Sequence, residues 1–300
     1  MQTMQLVGLI GVGNMGSRIG RRIVDHGVPL VGYDLDATKV SAAGIPAATG
    51  VADLGRRAEI VLLSLPDSQA IEAVARGADG LLAHVRPGQV VVDLSTANPA
   101  STRALHEEFS ARGVEFLDAG ISGGAAAAEA GTLTLMVGGA PEALERVRWL
   151  LDTFSRYVYH MGESGAGHTT KVLNNFLNGI SLAATAEVMV AARRSGLDLR
   201  RFLDVVNHSS GVNHATLNRF PRIVEGDYLE GGLTGRLMAK DLKLYLNLLD
   251  QLEVPSLTGP GCLAAFQVAI GLGYGDVISN HVVDALGDLA GGVRLHEGRA

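Results

Sequence analysis

Three glycines stand at the turn between the first predicted strand and the first predicted helix. They are Gly11, Gly13 and Gly16 in the segment GLIGVGNMG. In a strand–turn–helix unit the first glycine permits a tight turn, the second lets the backbone approach a pyrophosphate, and the third lets the helix pack on the strand. The helix N-terminus adds N–H groups and a positive dipole. The pattern therefore predicts a dinucleotide-binding turn. The same turn contains Val12, Asn14 and Met15.

An acidic residue ends the second predicted strand. Asp34 follows Gly11 by 23 positions (34 − 11), and a carboxylate there accepts hydrogen bonds from the adenosine ribose hydroxyls. Because the same charge repels a 2′-phosphate, Asp34 favours NAD over NADP. Asp36 is a nearby alternative for this role, and a structural turn beside a solvated Asp34 is a second alternative.

Short apolar segments alternate with helical patterns through the first half of the chain. The segments are rich in Val, Ile and Leu without alternation, which is typical of strands buried on both faces of a parallel sheet. The pattern predicts an α/β fold with a Rossmann-like, doubly wound parallel sheet. The predicted strands are Gln5–Ile10, Leu30–Asp34, Ile60–Ser64, Val90–Asp93, Glu115–Asp118, Leu133–Val137 and Tyr157–His160. The predicted helices between them are Ser17–His26, Ser68–Arg76, Pro99–Ala111 and Ala140–Phe154.

The second half of the chain shows helical patterns and no convincing strand. A long helix is predicted over Thr169–Ser195. It is followed by predicted helices at Leu199–Asn207, Leu237–Leu252, Leu263–Ala269 and Val282–Leu289. We therefore expect a Rossmann-like domain over residues 1–163 and an all-α domain over residues 164–300, joined by the long helix.

Composition excludes several classes of protein. A net charge of −6 disfavours nucleic-acid binding, which depends on basic surface. The single cysteine, Cys262, allows no intramolecular disulfide, and the nine scattered histidines indicate no metal site. No uninterrupted apolar run reaches the roughly 18 residues of a membrane span, and no signal peptide is evident at the N-terminus. A cytoplasmic protein that does not bind a membrane is the expectation.

Polar or glycine-rich motifs follow three predicted strands, where a doubly wound sheet binds ligands. They are SLPDS (64–68), DLST (93–96) and DAGISGG (118–124). Each alone could be an ordinary turn, but together they indicate a cleft. In the third motif, Ser122, Gly123 and Gly124 offer a hydroxyl and unobstructed backbone N–H groups, which suits a carboxylate. A flexible turn is the alternative.

The segment GAGHTTKVLNNFLNG (165–179) places polar residues on one face of the long helix. Lys171, Asn175 and Asn178 are spaced i, i+4 and i+7, and Asn174 borders their face. Such residues are costly to bury unless they are used. If burial lowers its pKa, Lys171 can take the proton of an alcohol as hydride leaves, and Asn175 can hold the hydroxyl or the amine. A surface lysine with capping amides is the alternative.

With these motifs in this order, the sequence resembles the β-hydroxyacid dehydrogenase family, which includes 3-hydroxyisobutyrate dehydrogenase and tartronate semialdehyde reductase. The resemblance extends over nearly the whole chain and includes SSG (209–211) and KDL (240–242). It implies that Lys171 is the catalytic lysine and that Asn175 assists it. It also implies a homodimer or homotetramer. The implied cofactor contacts beyond the glycine turn are Leu65, Pro66, Thr96 and Lys240. The implied carboxylate-binding loop is Ser122, Gly123 and Gly124.

Several positions depart from the pattern of the family. Gly120 and Ile121 replace the usual Pro-Val, which we expect to loosen the loop or widen the pocket. Leu233 stands where relatives often have Phe, so the pocket volume is expected to differ. In a segment that varies with substrate, Arg219 could pair with a second anionic group of the substrate, and His214 could also line the pocket. Exposed or packing roles are the alternatives for both. With Asn174, these residues complete the predicted substrate contacts.

The sequence thus predicts an NAD-dependent dehydrogenase that interconverts a small 3-hydroxy acid and its semialdehyde or oxo acid, with Lys171 as general acid and base. NADP is the less favoured cofactor. Three alternatives remain open. An oxidative decarboxylase of a sugar-acid phosphate would need more basic residues than Arg219 and Arg222. An imine reductase typically lacks the lysine. A non-catalytic dinucleotide-binding module would have no use for Lys171 with Asn175.

Overall fold

In a computed structural model, which describes residues 5–296, the first half of the chain folds around one seven-stranded sheet in the order β2-β1-β3-β4-β5-β6-β7. Helices follow most strands, as in a doubly wound α/β fold. The strands are β1 Val7–Ile10, β2 Leu30–Tyr33, β3 Ile60–Leu63, β4 Val90–Asp93, β5 Glu115–Ser122, β6 Leu133–Gly138 and β7 Ser155–Gly162. The helices are α1 Asn14–Asp25, α2 Ala37–Ala42, α3 Val51–Arg57, α4 Ser68–Arg76, α5 Leu81–His84, α6 Pro99–Ser110, α7 Gly124–Ala130 and α8 Pro141–Leu151.

The central strands are buried on both faces. Consecutive residues contribute to different cores: Leu9 and Leu62 pack in one apolar cluster, and Ile10 and Leu63 pack in another. All four are at most 2% exposed. A strand that contacts apolar residues on both faces does not show an alternation of apolar and polar residues. The predicted Rossmann-like, doubly wound fold class is confirmed.

Two features of the sheet differ from the prediction. Strand β5 continues past Asp118 to Ser122, and this extension pairs antiparallel with β6, from Asp118 opposite Gly138 to Ser122 opposite Thr134. Strands β6 and β7 are parallel to each other and therefore run against the first five. The prediction that a loop follows Asp118 was wrong, because small residues there pair in a strand without an apolar pattern.

The second half of the described chain is helical. Its helices are α9 Ala166–Arg194, α10 Leu199–Asn207, α11 His214–Asn218, α12 Phe220–Ile223, α13 Gly235–Gln251, α14 Gly259–Ala269 and α15 Val282–Leu289. The long helix α9 begins before Lys171 and continues well beyond it. The short helices α11 and α12 were not predicted from the sequence, nor were α2, α3, α5 and α7 of the first half. A π-helical turn spans Ile270–Tyr274 and a 3₁₀ turn spans Ser279–His281. Among residues 172–296 the only β interaction is an isolated bridge between Thr234 and Ile278.

The chain divides into two compact units between Lys171 and Val172. The second unit has its own apolar core, which includes Leu182, Phe220 and Phe266. This division falls inside α9, whereas the predicted boundary between residues 163 and 164 precedes the helix. The predicted boundary stays a prediction.

Helix α9 is long and apolar enough to cross a membrane by length and composition, with a mean hydropathy of 1.2 over its most apolar 18 residues. Polar residues interrupt the apolar ones along this helix, so it contains no uninterrupted apolar run of that length. Half of that stretch is buried in the fold. The indication of a membrane span is therefore weak, because a core helix has the same length and composition.

Candidate active site

The glycine turn between β1 and α1 has the geometry of a pyrophosphate site. Gly11 has φ +91°, and a Cβ on it would lie 2.2 Å from the carbonyl oxygen of Ser64. A Cβ on Gly16 would lie 2.0 Å from the carbonyl oxygen of Gly11. At Gly13, by contrast, no atom lies within 4 Å of the place that a Cβ would take. The outer two glycines are thus required by packing, while Gly13 leaves its side open to a phosphate at the start of α1.

The side chains inside the turn have structural partners. Met15 packs against the apolar core of the sheet. Asn14 is exposed at the start of α1, and the guanidinium of Arg18 donates to its carbonyl oxygen at 2.7 Å and also to its side-chain oxygen. Arg18 in turn pairs with Glu129 at 2.7 Å. The side chains of Asn14 and Met15 thus contact other parts of the fold.

Asp34 lies directly beside this turn. Its Oδ2 accepts a 2.8 Å hydrogen bond from the backbone N–H of Val12, and its Oδ1 accepts one of 2.9 Å from the N–H of Asp36. Lys39 Nζ lies 3.5 Å from Oδ1. The carboxylate is thus fixed at the end of β2, as a ribose-binding role requires.

Asp36, the alternative candidate, is used by the backbone. It accepts hydrogen bonds from the hydroxyl and the N–H of Thr38, and so caps the N-terminus of α2. Both bonds lower the pKa of Asp36, and the bond from the hydroxyl has the larger effect. Asp34 is bonded to the glycine turn through the N–H of Val12, whereas Asp36 is exposed at the start of α2. Asp34 therefore remains the better ribose candidate.

The ends of β3 and β4 are joined by a network that the sequence analysis did not find. Leu65 donates its N–H to the hydroxyl of Ser95 at 2.9 Å, and Ser95 donates its own N–H to Asp93 at 3.0 Å. Leu65 is half-buried and Pro66 is exposed, while Thr96 is half-buried just after Ser95. Leu65, Pro66 and Thr96 thus follow neighbouring strands at one edge of the sheet, and the N–H of Leu65 is already engaged.

Two buried carboxylates and a buried histidine support the start of α9. Asp118 accepts the N–H groups of Gly165 (2.8 Å) and His168 (2.7 Å), which satisfies donors that a helix start leaves free. His168 Nδ1 bonds to the hydroxyl of Thr102 at 2.7 Å, and its Nε2 lies 3.9 Å from Asp93. Burial raises the pKa of Asp93, while His168 acts in the opposite direction. Asp118 and His168 were not predicted as site residues, although they stand in the motifs DAGISGG and GAGHTTKVLNNFLNG.

Lys171 lies three residues beyond His168 and is only 9% exposed. Its stem is pressed against β5: a Cβ on Gly120 would lie 2.5 Å from Cβ and 2.9 Å from Cγ of Lys171. From the sequence, we expected the glycine at position 120 to loosen a loop, and that expectation is wrong. Gly120 stands inside a paired strand and permits the close approach of the lysine.

The segment Ser122–Gly124 joins the end of β5 to α7. Ser122 is half-buried, whereas Gly123 and Gly124 are exposed, with φ +127° and +70°. Side chains rarely adopt such values. The backbone therefore turns at two residues that present no side chain to a ligand.

Asn175 lies one helical turn after Lys171 and is 4% exposed. Its Nδ2 donates to Asp241 Oδ2 at 2.5 Å, and Lys240 Nζ lies 2.9 Å from Asp241 Oδ1. Because a carboxylate accepts, this bond fixes the amide with Oδ1 turned away from Asp241. Asn174 is half-buried, and its Nδ2 approaches that Oδ1 at 3.5 Å. Asp241 was not predicted as a site residue, although it stands in the quoted KDL motif.

The remaining predicted substrate contacts lie in the second unit. Arg219 is half-buried, which contradicts the alternative of a fully exposed arginine. His214 begins α11 and is exposed. The pKa of His214 is lowered mainly by partial burial of the ring and also by the positive charge of Arg219. Leu233 packs against the apolar core of this unit. Among residues 5–296 no group of three His, Cys, Asp or Glu side chains could hold a metal ion.

A Rossmann-like sheet with an open glycine turn at the start of its first helix is the arrangement of a dinucleotide-binding domain. Residues 6–162 match the family described as the NAD-binding domain of 6-phosphogluconate dehydrogenase, and residues 165–285 match the NAD-binding family of NADP-dependent 3-hydroxyisobutyrate dehydrogenase. The chain belongs to the β-hydroxyacid dehydrogenase family. It is an NAD-binding oxidoreductase of the class that acts on CH–OH groups.

Three similar proteins illustrate the range of the family. An NAD-dependent L-serine dehydrogenase of Pseudomonas aeruginosa is 37% identical over 91% of this chain and 95% of its own length. The 2-(hydroxymethyl)glutarate dehydrogenase of Eubacterium barkeri is 32% identical over 90% and 92%. The solved structure of Mycobacterium tuberculosis 3-hydroxyisobutyrate dehydrogenase with L-serine has a TM-score of 0.86 at 26% identity, and covers 95% of this chain and 99% of its own.

Proposed function

We propose that this chain oxidises a small 3-hydroxy acid of the form HO–CH₂–CH(R)–COO⁻ to its semialdehyde, and catalyses the reverse reduction. The three named relatives share this core in the substrates of their names: R is an ammonium in L-serine, a methyl in 3-hydroxyisobutyrate and a carboxyethyl group in 2-(hydroxymethyl)glutarate. The observation that carries the proposal is the buried Lys171 with Asn175 one turn later, its amide fixed by Asp241.

Lys171 moves the proton in this proposal. Its Nζ accepts the proton of the substrate hydroxyl as the C–H bond breaks, and returns it to the carbonyl oxygen in the reverse direction. NAD, when bound, accepts the hydride. The glycine turn fits the pyrophosphate, and Lys240 with the residues after β3 and β4 complete the proposed cofactor contacts.

Asn175 acts in the proposal as an acceptor. Since its Nδ2 is held by Asp241, its Oδ1 is left to accept a hydrogen bond from the hydroxyl or from the ammonium of Lys171. Asp241 is therefore a positioning residue that acts through Asn175. The substrate carboxylate binds at Ser122–Gly124, whose two exposed glycines leave the backbone N–H groups accessible to an anion.

A screen of substrates tests the proposal. Formation of NADH is measured with 3-hydroxyisobutyrate, L-serine and 2-(hydroxymethyl)glutarate, with 6-phosphogluconate as the substrate of a decarboxylating reaction. We expect turnover with at least one of the first three and none with the last. Oxidation of 6-phosphogluconate alone, or NAD binding without turnover of any hydroxy acid, would overturn the proposal.

The choice of cofactor is expected to depend on Asp34. Replacing Asp34 by Ser removes the carboxylate that repels a 2′-phosphate and releases Lys39, which lies 3.5 Å away, to pair with that phosphate. We expect the ratio of kcat/KM for NADP to that for NAD to rise by about 10-fold or more, as for one charged hydrogen bond. Steady-state kinetics with both cofactors measure the ratio.

Asp36→Ser is the matched control for this experiment. Serine also caps helices, so α2 is preserved while the neighbouring negative charge is removed. The control should keep the cofactor preference of the wild type. A ratio that changes in Asp36→Ser and not in Asp34→Ser would assign the ribose to Asp36 instead.

We further propose a cytoplasmic homodimer or homotetramer that binds neither nucleic acid nor a membrane. Helix α9 exposes Leu173, Leu177 and Val188, which supports a surface for a second copy. The net charge of −6 supports the absence of nucleic-acid binding.

A further inference from the structure

Arg219 lies in the second unit with two amide oxygens as its partners. Its Nη1 donates to Asn280 Oδ1 at 2.7 Å, and its Nη2 donates to Asn178 Oδ1 at 2.8 Å. Within residues 5–296 no acidic side chain forms an ion pair with it. Arg222, three residues later, shows the usual arrangement: it is exposed and donates to Asp227 at 2.9 Å.

A half-buried guanidinium without a countercharge is costly, because neutral amides replace only part of its hydration. Burial accordingly lowers the pKa of Arg219. Two amide oxygens occupy two of its five N–H donors. The remaining donors and the uncompensated charge are suited to an anion that the chain itself does not supply.

Asn178 fixes the place of this charge relative to Asn175, a proposed catalytic residue of the same unit. It lies on α9 three residues after Asn175, so the two share one helix face. At 1.5 Å per residue, Asn178 is about 4.5 Å from Asn175 along the helix axis, and side chains lean towards the helix N-terminus. A hydroxy acid whose hydroxyl binds at Asn175 can reach Arg219 with a substituent of a few carbon atoms.

We propose that Arg219 binds a second anionic group of the substrate, so that the preferred substrate is HO–CH₂–CH(R)–COO⁻ with an anion at the end of R. The inference rests on the proposed function and names the substrate class within it. A carboxylate on a two-carbon arm is one such group, and a carboxylate pairs with a guanidinium through two parallel hydrogen bonds. An ammonium as R, as in L-serine, is repelled by the same charge.

The experiment compares two substrates that differ only in R. They are 2-(hydroxymethyl)glutarate, with a carboxyethyl arm, and 3-hydroxyisobutyrate, with a methyl group. We expect kcat/KM of the wild type to favour the dianion by about 10-fold or more. Arg219→Gln should lower kcat/KM for the dianion by about 10- to 100-fold more than for the monoanion. Arg219→Lys should restore part of the preference.

Two further variants make the result decisive. Asn178→Asp places a carboxylate of nearly the same shape against Arg219, so it should reduce the preference for the dianion even if Arg219→Gln fails to fold. Arg222→Gln removes an exposed arginine of the same region and should leave the preference unchanged.

Three outcomes would overturn the inference. The first is a wild type that does not favour the dianion. The second is an equal loss for both substrates in Arg219→Gln and Asn178→Asp, which would make Arg219 a structural link to Asn280. In both cases turnover of the monoanion leaves the proposed function standing. The third is a wild type that oxidises no hydroxy acid at all, which would end the proposed function and the inference with it.

Discussion

Lys171→Ala is expected to lower kcat by about 100- to 10,000-fold, the usual loss when a general acid and base is removed. The reason is that the hydroxyl proton then has no side chain to receive it as hydride leaves. Because Lys171 lies on α9 and not in the glycine turn, the Kd for NAD should stay near that of the wild type. Steady-state oxidation of the best hydroxy acid and fluorescence titration with NADH measure the two quantities.

Lys243→Ala is the control for a general effect of removing a lysine. Lys243 lies exposed on α13 and has no place in the proposed site. Its kcat should equal that of the wild type. Turnover of Lys171→Ala within a few-fold of the wild type would remove the lysine from the mechanism. It would favour the alternative of a non-catalytic dinucleotide-binding module.

The sequence was most informative where structure is local. Strands β1 to β4 could be predicted because segments rich in Val, Ile and Leu without polar alternation are typical of strands buried on both faces. The extension of β5 could not, since the segment AGIS has no apolar period and gains its pairing from β6, more than ten residues later along the chain. The reversal of β6 and β7 is likewise a property of the pairing and not of any local pattern.

The same distinction applies to the site. The positions of Lys171 and Asn175 on one helix face follow from their spacing of four residues, because one helix spans both. The partners of these residues come from elsewhere in the chain. Asp241 is 66 residues from Asn175, and Asp118 is 50 residues from His168. A buried acid at such a distance cannot be distinguished by sequence from one that faces solvent.

Gly120→Ala is the second substitution for which we expect a large effect. The added Cβ would lie 2.5 Å from Cβ of Lys171, and both atoms are attached directly to backbone, so neither can move aside by a rotamer change. Strand β5 and α9 must separate instead. We expect kcat to fall by about 10- to 100-fold, because a displacement of about 1 Å at a reacting group costs that much. Overpacking should also lower the free energy of unfolding by about 1–3 kcal/mol.

A loss of stability alone could explain lower activity, so the comparison needs a glycine without close neighbours. Gly261 in α14 has no atom within 4 Å of the place that a Cβ would take, and alanine there should stabilise the helix by about 1 kcal/mol. Urea unfolding and kcat are measured for both variants under conditions in which each is fully folded. If folded Gly120→Ala keeps the kcat of the wild type, the close contact between β5 and Lys171 is packing without consequence for the proton transfer. If kcat falls while the Kd for NAD is unchanged, the position of the lysine stem against the strand governs the chemical step.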